Sequence, residues 1–352
     1  MPPLAVVGNP DNRRVGLFRA AVRAAGWPEP EVVSWLSVLR GQAAVAPGSL
    51  VRIDSPGEDA EVDRLLRGAA EPARPGELVG LDDWYRGFGR ALADVQRLAE
   101  GSRLLADPAE ILVMFDKRAC HAHLTTHGIP VPPALPPVAS YVELRDRMAA
   151  AGWTRVFVKP AHGSSASGVL ALRANGSRVV ATTSVEVEGG RRYNSLRVRE
   201  YRDERSIAAI VDALAPDGLH VERWYPKAAL EGRVLDLRVV VIGGRPTHVV
   251  VRTSRGPMTN LHLGGRRGDL AAVRALAGPS YVDALETCAR VAAAFPGCLQ
   301  VGVDLMLSAD WAHHAVAEVN AFGDLLPGLL VDGRDTYAEQ LRVLGRREPA
   351  WT

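Results

Sequence analysis

The sequence predicts an α/β protein with α+β lobes: a small parallel α/β region comes first, and a larger region dominated by strands follows. Over residues 1–105, short apolar runs that end at Gly or at polar loops alternate with amphipathic helical patterns. Beyond a proline-rich connector at residues 130–137, strand patterns follow one another with turn signals between them, of which Asn175-Gly176 is the strongest. Because the two patterns differ, we expect lobes built on different sheets.

The N-terminal region begins with a strand–loop–helix unit. Leu4–Gly8 is a short apolar run, residues 9–14 are polar, and a helical pattern covers residues 15–25. A further strand is expected at Leu50–Ile53. Ligands of open parallel sheets bind beyond the carboxyl ends of the strands. The loops at residues 9–14 and 52–57 are therefore the expected ligand-binding loops.

Strand patterns dominate the remaining chain, with a few helices between them. Helices are expected at residues 116–127, 206–214, 280–295 and 337–344. Strands are expected at residues 155–160, 169–173, 178–187, 195–201, 219–224, 235–242, 247–253, 300–307 and 315–319.

Composition narrows the classes of function. The 352 residues carry a formal net charge of +2 and 47% are hydrophobic, which is typical of a globular protein and argues against a general nucleic-acid binder. The three scattered cysteines predict a reducing compartment. The N-terminus lacks the basic segment of a signal peptide, and no apolar run approaches the ~18 residues of a membrane span. We expect a cytoplasmic protein with no membrane or nucleic-acid partner, and a homodimer is the one assembly considered.

Lysine is rare in this chain: only three of its 42 basic residues are lysines. Arg is a wide planar fork, whereas Lys is a compact point charge suited to a single phosphate oxygen. The lysines kept in this background are therefore candidates for phosphate binding. Lys117 and Lys159 have neighbours that support this interpretation. Lys227 lies in an extended loop, where we expect it to be exposed to solvent.

The loop after Lys159 is made of small residues. Lys159 ends an apolar run, and Gly163, Ser164 and Ser165 follow it closely. Small residues allow backbone N–H groups to close over phosphate oxygens. The segment predicts a phosphate-binding loop, although its composition also fits a surface hairpin.

Three oxygen-bearing side chains lie on the last two predicted strands. Asp304 is on the first, and Glu318 and Asn320 are two residues apart on the second, so they point to the same face. Hard divalent cations prefer carboxylate and amide oxygens. The pattern predicts a site for one or two Mg²⁺ ions, and acids that simply face solvent are the alternative.

Two arginines on adjacent predicted strands can serve a transferred phosphoryl group. Asp236 and Arg238 share one strand face, and Arg252 lies on the next strand. Inward-pointing arginines neutralise the charge that develops during phosphoryl transfer. The loop around Asn260 ends in two glycines and can present backbone N–H groups to an oxyanion.

Motifs of several other nucleotide and metal sites are absent from the sequence. It contains no Gly-Lys-Ser/Thr loop, no Gly-x-Gly-x-x-Gly fingerprint and no Cys-x-x-Cys pair. Cys120, His123 and His127 share a face of one predicted helix at a spacing that metal ligands can have. Since no fourth ligand is evident, we interpret them as part of a helix with partly exposed histidines.

Taken in order, these segments resemble the ATP-grasp superfamily, in the branch of glutathione synthetase and the ribosomal-protein glutamate ligases. The resemblance spans residues 110–330 and implies a two-lobed ATP-grasp fold after a pre-ATP-grasp α/β domain. The implied division is an N-terminal domain at 1–105, a lid at 106–222 with a strand-rich insertion at 175–201, and a metal-binding subdomain at 223–352.

The resemblance also implies roles for individual residues. Catalytic roles fall to Arg238, Arg252 and Asn260, and Mg²⁺ binding falls to Asp304, Glu318 and Asn320. The residues implied in ATP binding are Lys117, Lys159, Gly163, Ser164, Ser165, Glu222, Arg223, Tyr225 and Asp236.

The expected function is an ATP-dependent ligase that joins a carboxylate to an amine through an acyl phosphate, with ATP and Mg²⁺ as cofactors. The acid and the amine are small molecules or peptides. Two alternatives remain open from the sequence. One is a kinase that phosphorylates a hydroxyl, with the basic residues 141–205 as its polyanion site; the other is a non-catalytic ATP-binding protein.

Overall fold

A computed structural model describes residues 2–163, 166–176 and 178–345, and its N-terminal part is a parallel sheet with helices. The strand order is β2-β1-β3-β4, and every neighbouring pair is parallel. This arrangement confirms the parallel α/β region predicted from the alternating patterns. Its elements are β1 (Leu4–Val7), α1 (Arg13–Ala24), β2 (Glu31–Val33), α2 (Trp35–Leu39), β3 (Leu50–Ile53), α3 (Ala60–Arg67), α4 (Leu81–Leu98) and β4 (Arg103–Leu104).

A second sheet is antiparallel, with strand order β8-β7-β6-β5-β9. One of its faces packs on two helices through alternate strand residues such as Val156 and Val158, which are buried with Ile207 and Ile210. The opposite face carries polar residues. The elements of this region are α5 (Pro108–Phe115), α6 (Lys117–Thr126), α7 (Tyr141–Ala150), β5 (Arg155–Pro160), β6 (Leu170–Asn175), β7 (Arg178–Glu188), β8 (Arg191–Tyr201), α8 (Glu204–Leu214) and β9 (Leu219–Arg223).

The third sheet is also antiparallel and has the order β13-β12-β11-β14-β15, with β10 paired to β11. One face is apolar: Leu237, Val239 and Val303 lie in a large core with residues of α10 such as Val291. Among the described residues, no helix has the length and apolar character to cross a bilayer. The elements are β10 (Ala229–Leu230), β11 (Arg233–Ile242), β12 (Arg245–Ser254), β13 (Arg266–Arg267), α9 (Leu270–Ala277), α10 (Pro279–Ala293), β14 (Gln300–Leu307), β15 (His314–Asn320) and α11 (Thr336–Leu344).

A buried polar network ties the C-terminal segment to the N-terminal sheet. Arg52, at the end of β3, lies 2.7 Å from Asp324 and donates a hydrogen bond of 2.5 Å to Gln340 on α11. Arg14 approaches the other carboxylate oxygen of Asp324 at 3.1 Å. Burial favours the neutral acid, but the two guanidinium groups outweigh it and hold the pKa of Asp324 below its ordinary value. The network fixes the loop of residues 322–327 against the loops that follow β1 and β3.

Gly87 allows α4 to cross α3 at close range, and we predict that Gly87→Ala destabilises the protein. A Cβ at this position would lie 1.8 Å from the carbonyl oxygen of Leu66. Overpacking of this kind costs about 1–3 kcal/mol, more than the ~1 kcal/mol that Ala gains over Gly in a helix. Urea unfolding should show a lower free energy of unfolding. Gly89→Ala in the same helix is the control, since its Cβ would lie 3.5 Å from Leu112, and an equal loss there would contradict the prediction.

Candidate functional site

A band of charged side chains crosses the polar face of the third sheet. Arg252 on β12 is paired with Asp236 on β11, while Arg238 on β11 is paired with Asp304 on β14, which in turn faces Glu318 on β15. Directly opposed residues of antiparallel strands point to the same side, as do residues two apart on one strand. All five side chains therefore share one face, and the register brings together residues that lie more than 80 positions apart in the sequence.

Asp304 lies at the centre of this band. One of its carboxylate oxygens lies 2.5 Å from Nε of Arg238, and the other lies 3.2 Å from Nη2 of Arg252. Its side chain is only 7% exposed, and burial alone would favour the neutral acid. The two guanidinium groups outweigh burial and lower the pKa of Asp304 to about 2. The site thus holds an ionised carboxylate at neutral pH.

Asp236 organises the neighbouring part of the band. One carboxylate oxygen accepts a hydrogen bond of 2.7 Å from Nε of Arg252, and the other accepts one from the hydroxyl of Thr259. Both contacts are buried. Asp236 therefore holds Arg252 and the loop that starts after β12 in fixed positions, and Thr259 is a site residue that the sequence analysis did not identify.

The second sheet supplies the opposite wall of the site. Lys159 on β5 and Glu222 on β9 share the polar face, and their charged groups lie 2.5 Å apart. His220 approaches the other oxygen of Glu222 at 3.4 Å. Burial opposes the charge on Glu222, but Lys159 and His220 together lower its pKa to about 2. The pair gives this wall a buried cation beside an ionised acid.

Lys117 connects the loop after β5 with the charged band. Asp116 caps the N-terminus of α6, which places Lys117 at the first position of the helix. Its Nζ donates a hydrogen bond of 2.6 Å to the carbonyl oxygen of Gly163 and lies 3.1 Å from Glu318. Lys117 and Lys159, which were predicted from their neighbours in the sequence, both line a cavity between the second and third sheets.

Two adjoining cavities run between these walls. The first is the smaller, with a volume of about 80 Å³ against about 470 Å³ for the second. It lies between the second and third sheets and has an apolar part formed by Phe157, Met258 and Met306. Its polar lining consists of Lys117, Lys159, Gly163, Ser167, Glu222, Lys227, Asp236, Arg252, Thr259, Asn260, Asp304 and Glu318.

The second cavity opens towards the N-terminal sheet. Loops at the carboxyl ends of β1 and β3 contribute Asn12 and Glu58 to its lining, and the first turn of α1 contributes Arg14, as expected for an open parallel sheet. Glu58 has a left-handed backbone with φ of 70° and accepts a hydrogen bond of 3.1 Å from Asn12. Where the cavities meet, their shared lining is Gly163, Arg252, Asn260, Asp304 and Glu318.

Proteins of known structure share the overall fold over nearly their whole length. The chain is similar to the D-cycloserine synthetase DcsG, with 17% identity, a TM-score of 0.56 and coverage of 96% of this chain and 98% of that one. It is also similar to the ATP-grasp ligase PsnB, with 18% identity, a TM-score of 0.52 and 97% of each chain covered. The chain has the ATP-grasp fold. The fold expected from the resemblance is thereby confirmed.

A third similar structure with the same overall arrangement is the macrocyclase MdnC from Microcystis aeruginosa MRC, bound with its precursor peptide MdnA. The identity is 11%, the TM-score is 0.56, and 97% of this chain and 100% of that chain are covered. No protein-family model and no curated protein sequence matches the chain. At such low identities the similarity establishes the fold alone.

The three predicted metal ligands share one face at one end of the site. Asp304 is paired with Glu318, and Asn320 is paired with Gly302 two residues along the same strands. Asn320 donates its amide N–H to the carbonyl of Gly302 at 3.3 Å, which leaves its amide oxygen as an acceptor. Two carboxylates and an amide oxygen fit the preference of Mg²⁺ for hard oxygen ligands. No cluster of three or more His, Cys, Asp or Glu suited to a metal occurs in the part of the chain that is described.

The other predicted site residues lie away from the linings of the two cavities or outside the described residues. Arg223 is exposed and, being adjacent to Glu222 on a strand, points to the opposite face. The hydroxyl of Tyr225 is hydrogen-bonded with Ser308. Ser164 and Ser165 lie outside the described residues.

The helix with metal-ligand spacing makes contacts within the protein. Nε2 of His123 is 2.7 Å from the carbonyl oxygen of Ala294, and Nδ1 of His127 is 2.8 Å from that of His123. Cys120 is buried, and burial raises the pKa of its thiol to about 12. Both imidazole rings thus contact backbone carbonyl groups, and the thiol is buried.

The prediction that Lys227 is exposed to solvent is wrong. Its side chain is 8% exposed and lines the first cavity. The segment after β9 forms a bridge between Lys227 and Ser308 and a backbone hydrogen bond from Ala228 to Leu307, so it is paired with the end of β14. This pairing directs the side chain inwards. The rarity of lysine was the one signal in the sequence that singled the residue out.

We predict that the protein loses stability as the pH falls from about 4 towards 2. Glu222 and Asp304 both have folded-state pKa values of about 2, below their ordinary values of 4.5 and 3.8. Their stabilising contribution is therefore complete above the ordinary pKa and is lost as the pH falls through the folded one. Urea unfolding between pH 6 and pH 2.5 should show the decline. In Glu222→Gln the free energy of unfolding should decline less over this pH range. A decline as large as that of the wild type would contradict the contribution assigned to Glu222.

Proposed function

We propose that the chain is an ATP-dependent ligase that joins a carboxylate to an amine through an acyl phosphate, with Mg²⁺ as the metal. The observation that carries the proposal is the meeting of the two cavities at Arg252, Asp304 and Glu318. A nucleotide in the first cavity and an acid in the second would react at this junction. The similar structures named above include a D-cycloserine synthetase and a macrocyclase bound with its precursor peptide. These neighbours support small molecules or peptides as substrates.

The first cavity suits ATP. Its apolar part, between Phe157 and Met306, can hold an adenine, with Glu222 as a hydrogen-bond acceptor beside it. Lys159 and Lys117 are placed for the phosphates, since each extends from a wall of the cavity on a fixed element. Asp304, Glu318 and Asn320 would hold Mg²⁺, which neutralises phosphate charge when it is bound.

The residues at the junction would support two successive displacements. A carboxylate oxygen of the acid attacks the γ-phosphorus of ATP, the bond to the β-phosphate oxygen breaks, and ADP leaves. The amine then attacks the acyl carbonyl, loses a proton, and expels phosphate. Arg238 and Arg252 would hold the transferred phosphoryl group, and Asn260 lies beside both cavities as a donor for the developing oxyanion. The protein does not have to supply a nucleophile.

The structure does not favour the kinase alternative. Most arginines between residues 141 and 205 that were considered for a polyanion site already have carboxylate partners within the described residues. These are Arg145, Arg147, Arg173, Arg191, Arg199 and Arg202. These ion pairs involve six of the eleven arginines in the segment, which leaves less positive charge for an anionic acceptor.

The test is ADP release by the purified chain with ATP and Mg²⁺, measured against panels of acids and amines supplied singly and together. A ligase releases ADP and phosphate only when both substrates are present, and mass spectrometry finds their condensation product. A product that carries phosphate on a hydroxyl would replace the ligase by the kinase. Tight ATP binding without turnover on any pair would favour a non-catalytic protein. Extracts of the producing cell extend the panels to unknown substrates.

A further inference from the structure

Lys227 differs from the other cations of the site in its pairing. Lys117, Lys159, Arg238 and Arg252 each have a carboxylate oxygen within 3.1 Å. The nearest carboxylate oxygen to Nζ of Lys227 in the described chain is on Asp236 at 4.0 Å. That oxygen already accepts a hydrogen bond from Thr259. Lys227 therefore adds a buried positive charge that the protein compensates only weakly.

The position of Lys227 is fixed by its surroundings. Its backbone is bridged to Ser308, and the flanking residues Pro226 and Ala228 form backbone hydrogen bonds with residues at the end of β14. Among the residues that the structure describes, Nζ donates one hydrogen bond of 3.0 Å, to the carbonyl oxygen of Pro257. An ammonium group has three donors, so two remain for other partners. The cation is held in place before any ligand arrives, and it lies on the lining of the first cavity.

A buried ammonium with open donors is costly unless an anion lies nearby. Burial makes the charged form costly and lowers the pKa of Lys227, and Arg252 and Lys159 act in the same direction against the attraction of Asp236 and Asp304. An anionic ligand between Lys227 and Lys159 would relieve this cost. Lys159 belongs to the second sheet and Lys227 to the edge of the third, so the two lysines approach the cavity from opposite walls.

We propose that Lys227 is a nucleotide-binding residue that contacts the phosphate chain from the third sheet, opposite Lys159. The inference rests on the proposed function for the identity of the ligand and adds to it a third lysine. The competing explanation is structural: Lys227 holds the loop after β12 through its hydrogen bond to Pro257 and has no part in binding. The two explanations differ in whether the positive charge is needed and in whether phosphate is the ligand group involved.

The experiment compares Lys227→Met and Lys227→Gln with the wild type. Gln keeps a donor for the Pro257 carbonyl but has no charge, while Met has neither. Arg255→Met is the matched control, because Arg255 is an exposed cation on the loop that Lys227 contacts. Calorimetry measures the Kd of ADP with Mg²⁺, and competition against a fluorescent ADP analogue measures the Kd of adenosine. Circular dichroism and Tm establish that each variant is folded.

The expected result is that both Lys227 variants bind ADP about 10- to 100-fold more weakly, as for loss of one charged hydrogen bond, while adenosine binding changes less than about threefold. Arg255→Met binds both ligands as the wild type does. Wild-type affinity for ADP in Lys227→Gln, equal losses for adenosine and ADP, or unfolding of both variants would overturn the proposal. If the Kd of ADP rises in the Lys227 variants as expected but the wild type catalyses no ligation, only the proposed function fails. If the wild type does not bind ADP, both proposals fail.

Discussion

Asp304→Asn is expected to lower ADP release at least ~100-fold, the size of effect found when one electrostatic contact to a reacting group is removed. Asp304 faces both cavities and lies opposite Glu318 in the strand register. The amide lacks the charge that orients Arg238 and Arg252 and is a poorer ligand for Mg²⁺. The measurement is a coupled assay of ADP with saturating ATP over a range of Mg²⁺ concentrations.

The same substitution also tests the buried ion pairs. Removing one partner of a buried charge network typically costs about 3–5 kcal/mol, so Tm should fall, and the assay has to be run well below it. Asp332→Asn is the control, since Asp332 is 83% exposed and lies in the turn before α11. Its turnover and Tm should match the wild type. Full turnover of Asp304→Asn would remove Asp304 from the reaction and with it the proposed position of the metal.

Lys159→Met is expected to abolish turnover and to destabilise the protein. The substitution leaves Glu222 buried without its cation, which typically costs about 3–5 kcal/mol. The pKa of Glu222 should then rise, because burial is no longer opposed by the ammonium group. Turnover should fall at least ~100-fold, since a cation at the transferred phosphate is lost.

The double variant Lys159→Met/Glu222→Gln separates the two effects. Replacing both partners of a buried ion pair is often nearly neutral for stability. The double variant should therefore recover most of the Tm that Lys159→Met loses, and its turnover should stay well below that of Glu222→Gln alone, which is the reference because Glu222 lines the same cavity. Recovery of turnover along with stability would show that Lys159 serves the fold and has no part in phosphate binding. The two measurements are Tm by differential scanning fluorimetry and the coupled ADP assay.

Local patterns in the sequence predicted much of the fold. β5 spans the predicted residues 155–160, and β14 the predicted residues 300–307. Such elements are predictable because apolar periodicity and turn residues act over a few positions. For the same reason Glu318 and Asn320 could be placed on one face, since residues two apart on a strand share it. Their roles as metal ligands stay a prediction.

Contacts between distant segments could not be read in this way. Nothing near Lys227 in the sequence indicates that residues 226–228 pair with the end of β14, some 80 positions later, and this pairing buries the side chain. The pairing of Arg52 with Asp324 likewise links the two ends of the chain. These contacts depend on which sheets meet, which the periodicity of a single segment does not encode.

The sequence by itself determined the kinds of groups available: two lysines with phosphate-type neighbours, arginines on adjacent strands, and a set of hard oxygen ligands. It also determined the order along the chain of the strands that carry them, because each strand is defined by its own residues. Only the tertiary structure decided how these groups are paired and that two cavities meet at Arg252 and Asp304. The physical reason is that strand register and burial arise from contacts between segments. The same contacts bury the side chain of Lys227, which was expected at the surface, and make it part of the site.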